Sequence, residues 1–144
     1  MIRVTRKYQF SASHRLHAPG LSASENAELY GKCNHPYGHG HNYEIEVSAR
    51  GPVEDRSGRA LDPRVLDRLV EEQVLRAFDG RNLNVESAAF EDVVPTTENL
   101  AREIYRRLAL KWTSAFPGPW PVLEKVRIAE TPRNIFEVKE YGET

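Results

Sequence analysis

The sequence predicts a small α+β domain, in which a four-stranded antiparallel sheet carries two helices on one of its faces. Two observations support this fold class. Polar and apolar residues alternate near both ends of the chain, which is typical of half-buried strands, and apolar residues recur at helical spacing in the middle. The predicted order is therefore ββααββ. We expect residues 1–144 to form a single domain, because the length suits one domain and no repeat or linker divides it.

The first two strands are predicted from alternation, since side chains two residues apart in a strand point to the same face. The first strand covers about residues 4–14, and Arg6 is the one polar exception along its apolar face before His14. The second begins at His39 and ends near Arg50. Neighbouring strands joined by a loop usually pair antiparallel, so the end of the first should meet the beginning of the second.

The first helix is predicted by its start signal and by its apolar stripe. Asp62 is a good N-cap residue, and Pro63 suits the first helical position. Apolar residues then recur at helical spacing as far as Phe78, and Gly80 is a plausible stop. We therefore expect one helix between the Asp62 cap and Gly80.

The second helix is predicted to have Thr96 or Thr97 as its N-cap, followed by a second apolar stripe at helical spacing. The proline-rich segment 116–121 suits neither a helix nor a central strand, so it is predicted to be a connecting loop. The last two strands are predicted over residues 122–130 and 134–141. This completes the order of elements.

Three histidines are expected to meet at one end of the sheet. His39 and His41 open the second strand on its apolar face, and His14 ends the apolar face of the first. A His-x-His pair can be structural, but buried imidazoles without partners are costly, and antiparallel pairing would bring all three together. Three neutral nitrogen ligands with an open fourth position are typical of a catalytic zinc site.

Glu130 is a second candidate, because it extends the predicted apolar face of the third strand. That face is expected to carry Val122, Glu124, Val126, Ile128 and Glu130. Either the strand simply reaches solvent at this point, or the carboxylate lies at the floor of a pocket. In the second case it could accept two parallel N–H bonds from a guanidine-like edge of a ligand, which is a strong charge-assisted arrangement.

Composition argues against several classes of partner. The formal net charge is −1 and the charged residues are scattered, so no basic field indicates nucleic-acid binding. No apolar stretch approaches the length of a membrane span, and the N-terminal residues do not resemble a signal segment. The single cysteine cannot form an internal disulfide, which favours a reducing, cytoplasmic location.

That cysteine, Cys33, is also a candidate catalytic residue. It lies in the long loop between the first two strands, next to Lys32 and six positions before His39. A lone cysteine is often an inert buried side chain. Near a metal ion and a lysine, however, the thiolate is favoured and can serve as a general base. A third alternative is that Cys33 is the fourth ligand of a structural zinc site.

Six segments of the sequence resemble the 6-pyruvoyl-tetrahydropterin synthase family, in order and with the family's spacings. They are FSASH (10–14), GKCN (31–34), GHGHNY (38–43), NLN (82–84), TTEN (96–99) and ET (130–131). The resemblance runs over nearly the whole chain. It implies the tunnelling fold, in which subunits join their sheets into an oligomeric barrel. The implied assembly is a homohexamer of two stacked trimers with active sites at subunit interfaces.

The resemblance also implies roles for individual residues. The implied cofactor is Zn²⁺ and the implied substrate is the pterin 7,8-dihydroneopterin triphosphate, which loses triphosphate to give 6-pyruvoyl-tetrahydropterin. The related product 6-carboxytetrahydropterin is an alternative, although the long spacing from the cysteine to the histidines is more similar to the pyruvoyl-forming type. The implied residues are the zinc ligands His14, His39 and His41, the catalytic Cys33 and Asp79, and Glu130, Thr97 and Glu98 at the pterin.

The sequence departs from the family pattern at Gly80. The family typically has a histidine here that works with the cysteine and the aspartate in proton transfer, and glycine has no titratable group. His35 could take over the role, or the reaction could need fewer proton transfers. Alternatively, the protein could bind zinc and pterin without synthase turnover. Lys32 and Arg81 are the candidates for holding the triphosphate.

Overall fold

The computed structural model of the protein describes residues 1–139 and has an α+β fold built on a five-stranded sheet with the strand order β3-β1-β2-β4-β5. The strands are β1 (Ile2–His14), β2 (His39–Gly51), β3 (Arg81–Asn82), β4 (Val122–Thr131) and β5 (Asn134–Lys139). All four predicted strands are therefore present. Residues 140 and 141, which were included in the last predicted strand, lie outside the described residues.

The expectation of a four-stranded, purely antiparallel sheet was wrong in one strand. β3 lies at the edge of the sheet beside β1 and pairs with it in parallel, with Arg81 opposite Ala12. A strand of two residues is too short to show alternation of polar and apolar side chains, so the sequence pattern does not reveal it. The resulting sheet is mixed.

The register of β1 and β2 is the feature of the fold that matters most for the site. The two strands pair antiparallel along their whole length, with His14 opposite His39 and Ala12 opposite His41. Tyr43 follows on the same face of β2 and is fully buried. The prediction that the end of the first strand meets the beginning of the second is confirmed.

The predicted face of β4 is corrected at its beginning. Leu123 is buried, whereas Glu124 faces away from the core and pairs with Arg3. The cause is a shift in the pairing between β2 and β4 within this stretch, because a slip of one residue exchanges the two faces of a strand. Beyond the shift, Val126 and Ile128 are buried as predicted.

Both predicted helices are present, and their apolar residues belong to one core together with those of the sheet. The first is α2 (Pro63–Val70), which continues through a π-helical turn (Glu71–Leu75) into α3 (Arg76–Phe78), and the second is α5 (Thr97–Ala115). The Asp62 carboxylate caps α2, as expected, by accepting a hydrogen bond from the backbone N–H of Arg64. Among the described residues, no helix is long and apolar enough to cross a membrane.

Four short helical segments in the connecting loops were not predicted. They are α1 (Ala23–Tyr30), α4 (Leu83–Glu86) and two 3₁₀ turns (Gly31–Asn34 and Ala88–Phe90). α1 begins with a capping box between Ser22 and Glu25, but only Asn26 of its residues is buried. Such a helix has no apolar stripe, so hydrophobic periodicity does not detect it.

Arg6, the polar exception on the apolar face of β1, has a structural explanation. Its guanidinium donates two hydrogen bonds of 2.8 Å to the Asp67 carboxylate on α2. The Tyr8 hydroxyl donates a third bond of 2.6 Å to the same carboxylate. These bonds hold the pKa of Asp67 below its ordinary value, Arg6 being the largest cause. Arg6 thus joins the sheet to the helix layer.

Thr96→Ala is expected to lower the free energy of unfolding by about 1 kcal/mol, the usual cost of losing an N-cap side chain. The Thr96 hydroxyl oxygen accepts a 3.1 Å bond from the backbone N–H of Asn99 at the start of α5. Denaturant-induced unfolding measures the effect. The matched control is Thr113→Ala, at an exposed position of the same helix, and an equal loss in both variants would contradict this role.

Candidate active site

The side chains of His14, His39 and His41 converge at the end of the β1–β2 pair. Among the described residues they form a cluster suited to a metal ion, with one ligand nitrogen from each ring and all three nitrogens within 4.8 Å of one another. The Nε2 atoms of His14 and His39 are 3.1 Å apart. The convergence that the strand pattern predicted is therefore present, and it follows directly from the pairing of β1 with β2.

His14 is oriented by the backbone of a distant loop. Its Nδ1 lies 2.7 Å from the carbonyl oxygen of Pro95, and because a carbonyl can only accept, Nδ1 must carry the proton. The lone pair is consequently on Nε2, which faces the other two histidines. Burial lowers the pKa of His14 below its ordinary value, so the ring is neutral near pH 7. A neutral imidazole held by a second partner is the form that binds metals.

His41 supplies the observation that tests whether a metal fits. Its Nε2 is buried and has no hydrogen-bond partner, which is a costly arrangement for an imidazole. A metal ion at the centre of the cluster would satisfy this nitrogen together with those of His14 and His39. Three imidazole nitrogens that leave one position free suit zinc, so the residues present fit the ion that the sequence predicts.

Glu130 is turned towards the histidines rather than into solvent, and its side chain is only 16% exposed. Its Oε2 accepts a 2.7 Å hydrogen bond from the Thr97 hydroxyl. The same oxygen lies 3.6 Å from Nε2 of His41 and 3.9 Å from Nε2 of His14. The first of the two alternatives, that the strand simply reaches solvent at Glu130, is therefore wrong, and Glu130 also lines a cavity of about 560 Å³.

Glu98, the neighbour of Thr97 on α5, lies elsewhere. It is exposed and lines a shallow cavity of about 300 Å³ with Ala101 and Arg102 and with residues of β5. Successive helical residues point about 100° apart, so Thr97 can reach Glu130 while Glu98 does not. The structure brings Thr97, through Glu130, but not Glu98 to the histidine cluster.

Cys33 lies in the 3₁₀ turn Gly31–Asn34 and is half-buried. Its carbonyl oxygen accepts a 2.8 Å bond from the backbone N–H of Leu16, which ties the turn to the segment after β1. In the part of the protein that the structure describes, the metal-binding cluster contains three histidines and not this thiol. This does not favour the alternative of a four-ligand structural site.

Asp79 lies at the edge of the sheet on the β3 side of β1. Its Oδ1 accepts a 2.9 Å bond from the backbone N–H of Ser11, and the N–H of Gly80 donates to the carbonyl oxygen of Ser11 at 2.6 Å. Over residues 1–139, no hydrogen bond or ion pair connects Asp79 with Cys33 or with a histidine. Among the described residues, Asp79 is thus not bonded to Cys33, the other predicted catalytic residue.

Gly80 faces open space. Its φ is +73°, a conformation that favours glycine, and a Cβ added there would meet no atom within 4 Å. It lines a cavity of about 350 Å³ together with His41 and Arg81. The position where the family carries a histidine therefore has room for a side chain, although the backbone would be under some strain.

The remaining sequence candidates have simple surroundings. His35 is exposed, and its ring lies 5.8 Å from that of Tyr37. Arg81 forms an exposed ion pair with Glu86 at 3.7 Å, and Lys32 is exposed in the turn that holds Cys33. None of these contacts distinguishes a functional role from an ordinary surface position.

Sequence reasoning missed three groups around the site. Tyr43 is buried beneath the cluster with its hydroxyl 3.4 Å from Nδ1 of His14, and its position two residues after His41 was the available signal. His17 lies beside the cysteine turn, with Nδ1 3.1 Å from the amide nitrogen of Asn34. The Pro95 carbonyl had no signal, since any residue could supply it.

Comparison with known proteins agrees with this picture. The family model described as 6-pyruvoyl tetrahydropterin synthase matches residues 3–141. The 6-pyruvoyl tetrahydrobiopterin synthase of Poecilia reticulata is 45% identical over 92% of this chain and 86% of its own length. The human protein of the same name is 40% identical over 95% of this chain and 90% of its own. The solved structure of Caenorhabditis elegans 6-pyruvoyl tetrahydropterin synthase superimposes with a TM-score of 0.87 at 42% identity, covering 96% of this chain and 95% of that one.

Proposed function

The protein belongs to the 6-pyruvoyl tetrahydropterin synthase family, and from this premise we propose that it is a zinc-dependent pterin synthase. The proposed substrate is 7,8-dihydroneopterin triphosphate and the proposed product is 6-pyruvoyl-tetrahydropterin. The observation that carries the proposal is the histidine cluster, in which His14 is fixed with its Nε2 lone pair facing His39 and the Nε2 of His41 has no other partner. The names of the relatives support the pyruvoyl rather than the carboxy product.

The residues of the site are proposed to bind the two ends of the substrate, the pterin ring and the side chain. Glu130 is proposed to accept N–H bonds from the guanidine-like edge of the pterin, a charge-assisted contact that fixes the ring. Thr97 orients the carboxylate through its 2.7 Å hydrogen bond. The three histidines would hold Zn²⁺, which when bound acts as a Lewis acid on side-chain oxygens of the substrate and stabilises enolate-like charge.

Cys33 is proposed to be the general base. As a thiolate it would take the proton of a carbon–hydrogen bond in the side chain of the substrate, and the electron pair of that bond would expel triphosphate without hydrolysis. An internal redox transfer then oxidises the side-chain carbon next to the ring to a carbonyl and reduces the dihydropterin ring to the tetrahydropterin, which gives the pyruvoyl group. Asp79 would take part in this proton transfer. Basic residues must hold the triphosphate, and Arg81 beside the 350 Å³ cavity and Lys32 are the proposed ones.

Assembly is proposed to complete the site. Cys33 and Asp79 are not in contact within one subunit, and Asp79 lies at a sheet edge where the outermost strand has only two residues. Because β3 pairs only with Ala12 and Ser13 of β1, the rest of this edge offers backbone groups that another subunit can cover. Both features support a barrel-forming homohexamer in which Asp79 of one subunit approaches Cys33 of another. The cytoplasmic location remains a prediction from the single cysteine.

A second candidate function is favoured by Gly80 alone. Since glycine cannot transfer protons, a protein that binds zinc and pterin but releases no product would have the same histidine cluster and the same Glu130–Thr97 pair. Tight pterin binding without turnover identifies this alternative.

The test is to incubate zinc-loaded protein with 7,8-dihydroneopterin triphosphate and to identify products by mass spectrometry. We expect 6-pyruvoyl-tetrahydropterin from the unmodified protein. Gly80→His should accelerate turnover by about tenfold, less than the usual contribution of a general acid–base group because positive φ strains the histidine.

Gly80→Ala is the matched control, since it adds the same backbone strain without an imidazole. It should not exceed the unmodified protein. If only the histidine variant forms product, the synthase proposal for the unmodified protein is wrong and the binding function replaces it.

A further inference from the structure

The position of Glu130 carries an inference that goes beyond pterin binding. We propose that Glu130 is the fourth ligand of the metal ion in the substrate-free enzyme, and that it leaves the metal when the pterin binds. The second half of this proposal rests on the proposed function. The observation behind it is that one carboxylate oxygen, Oε2, lies within 4 Å of Nε2 of both His41 and His14.

The distances suit a tetrahedral arrangement. In a tetrahedral zinc site with bonds of 2.0–2.1 Å, neighbouring ligand atoms are about 3.3 Å apart. The nitrogens of His14 and His39 are separated by 3.1 Å. Oε2 of Glu130 lies 3.6 Å from Nε2 of His41 and 3.9 Å from Nε2 of His14. Shifts of a few tenths of an ångström would therefore bring the oxygen into coordination.

The charge balance points the same way. Three neutral imidazoles bring no negative charge to a dication, and Glu130 is the acidic group whose oxygen lies within 4 Å of two of them. Among residues 1–139, no lysine or arginine forms an ion pair with Glu130, although only 16% of its side chain is exposed. A largely buried carboxylate requires a compensating positive charge, and the metal ion supplies it.

Thr97 holds the oxygen in this direction. It is 3% exposed, lies at the first position of α5, and donates its hydroxyl proton to Oε2 rather than to solvent. A carboxylate oxygen has two lone pairs, so it can accept this bond and bind a metal at the same time. Thr97 is therefore a positioning residue for the proposed ligand.

Glu130 cannot bind the metal and recognise the pterin ring at the same time. Bidentate recognition of a guanidine-like edge needs both carboxylate oxygens, but in this arrangement Oε2 faces the metal and the Thr97 hydroxyl. Binding of the pterin ring must draw Oε2 away from the cluster. Its departure frees the fourth metal position for an oxygen of the substrate side chain. The fourth coordination position of the metal would thus become available only when a pterin is bound.

The first measurement is zinc affinity by competition with a chelator, without substrate or turnover. Glu130→Gln and Glu130→Asp are both expected to bind zinc at least tenfold more weakly than the unmodified protein. Glu137→Gln, which removes a carboxylate on β5, is the matched control and should bind zinc normally. Unchanged affinity in Glu130→Gln overturns the proposal. Normal affinity in Glu130→Asp alone overturns it too, because charge rather than ligation would then explain the effect.

The second measurement uses Co²⁺ in place of zinc, since its visible spectrum reports the ligand set. Unsubstituted pterin is the probe, because it has no side chain that could reach the metal. It should change the cobalt spectrum of the unmodified protein and leave that of Glu130→Gln unchanged. Thr97→Val should give a spectrum closer to that of Glu130→Gln. If pterin binds, as measured by its fluorescence, without changing the cobalt spectrum, the proposed release is wrong.

These outcomes are separate from the fate of the proposed function. If the unmodified protein forms product and Glu130→Gln binds zinc normally, the ligand role is rejected and the synthase function stands. Weakened zinc binding in a protein that forms no product supports the ligand role and rejects the synthase function. The metal-free variants should unfold at the same denaturant concentration as the metal-free parent, which shows that the loss of affinity is local.

Discussion

The double variant His39→Ala/His41→Ala is expected to lose stoichiometric zinc and all measurable synthase turnover. Only His14 would remain of the three converging nitrogens, and a single imidazole does not hold zinc in a protein. Because loss of groups that merely support metal ligands already costs 10–100-fold in affinity, we expect the loss of two ligands to cost on the order of 10³-fold or more. Metal content by elemental analysis after dialysis measures the first effect, and product formation measures the second.

Two other histidines provide controls for this variant. His35→Ala removes an exposed ring whose contact is with Tyr37, and His17→Ala removes a ring bonded near the cysteine turn. Neither belongs to the metal-binding cluster of the described residues, so both should keep one zinc per chain. Retention of stoichiometric zinc by the double variant would mean that the metal binds elsewhere, and the proposed mechanism would fail with it.

The parts of the site that the sequence predicted depend on one kind of information, strand periodicity. Alternation placed His14 on the apolar face of β1 and His41 on that of β2, and antiparallel pairing of neighbouring strands brought the two ends together. Register is strongly specified here because the middle of the shared face is buried, so a slip of one residue would expose Tyr43 and Ile45. The predicted convergence of the histidines was therefore physically well determined.

The parts that the sequence did not reveal depend on contacts between distant segments. The Pro95 carbonyl that orients His14 belongs to the loop before α5, 81 positions away in the sequence, and a backbone carbonyl leaves no trace in a residue pattern. The Thr97–Glu130 bond connects the start of α5 with the end of β4. Local periodicity does not encode how closely a helix terminus approaches a strand end, and this approach decides which way Glu130 points.

The irregular pairing of β4 with β2 is another feature that sequence periodicity did not reveal. The sequence placed Glu124 and Glu130 on one face, but the irregular pairing with β2 turns Glu124 outwards to Arg3 while Glu130 stays inside. An extra residue in a strand changes the alternation, so the side chains before it point to the opposite face from the one that the pattern after it predicts. The family resemblance implied a pterin-binding role for Glu130, which periodicity alone did not. Neither predicted that the carboxylate faces the three histidines.

Cys33→Ala is expected to reduce turnover by about 10²–10⁴-fold, the usual contribution of a general base, while leaving zinc content unchanged. The reason is that the thiol lies outside the cluster of metal-binding nitrogens among the described residues, in a separate turn fixed by the Leu16 contact with its backbone. The backbone of the turn needs no particular side chain at this position, so the fold should be retained. Single-turnover kinetics with the triphosphate substrate measure the rate, and elemental analysis measures the metal.

A further variant tests whether such a loss comes from the thiol itself. Cys33→Ser keeps the shape of the side chain but has a far less acidic proton, so it should be nearly as slow as Cys33→Ala if the thiolate is the base. Normal turnover in Cys33→Ala would refute the base assignment. Loss of zinc in the same variant would instead make Cys33 a metal ligand and exclude Glu130 from the fourth position.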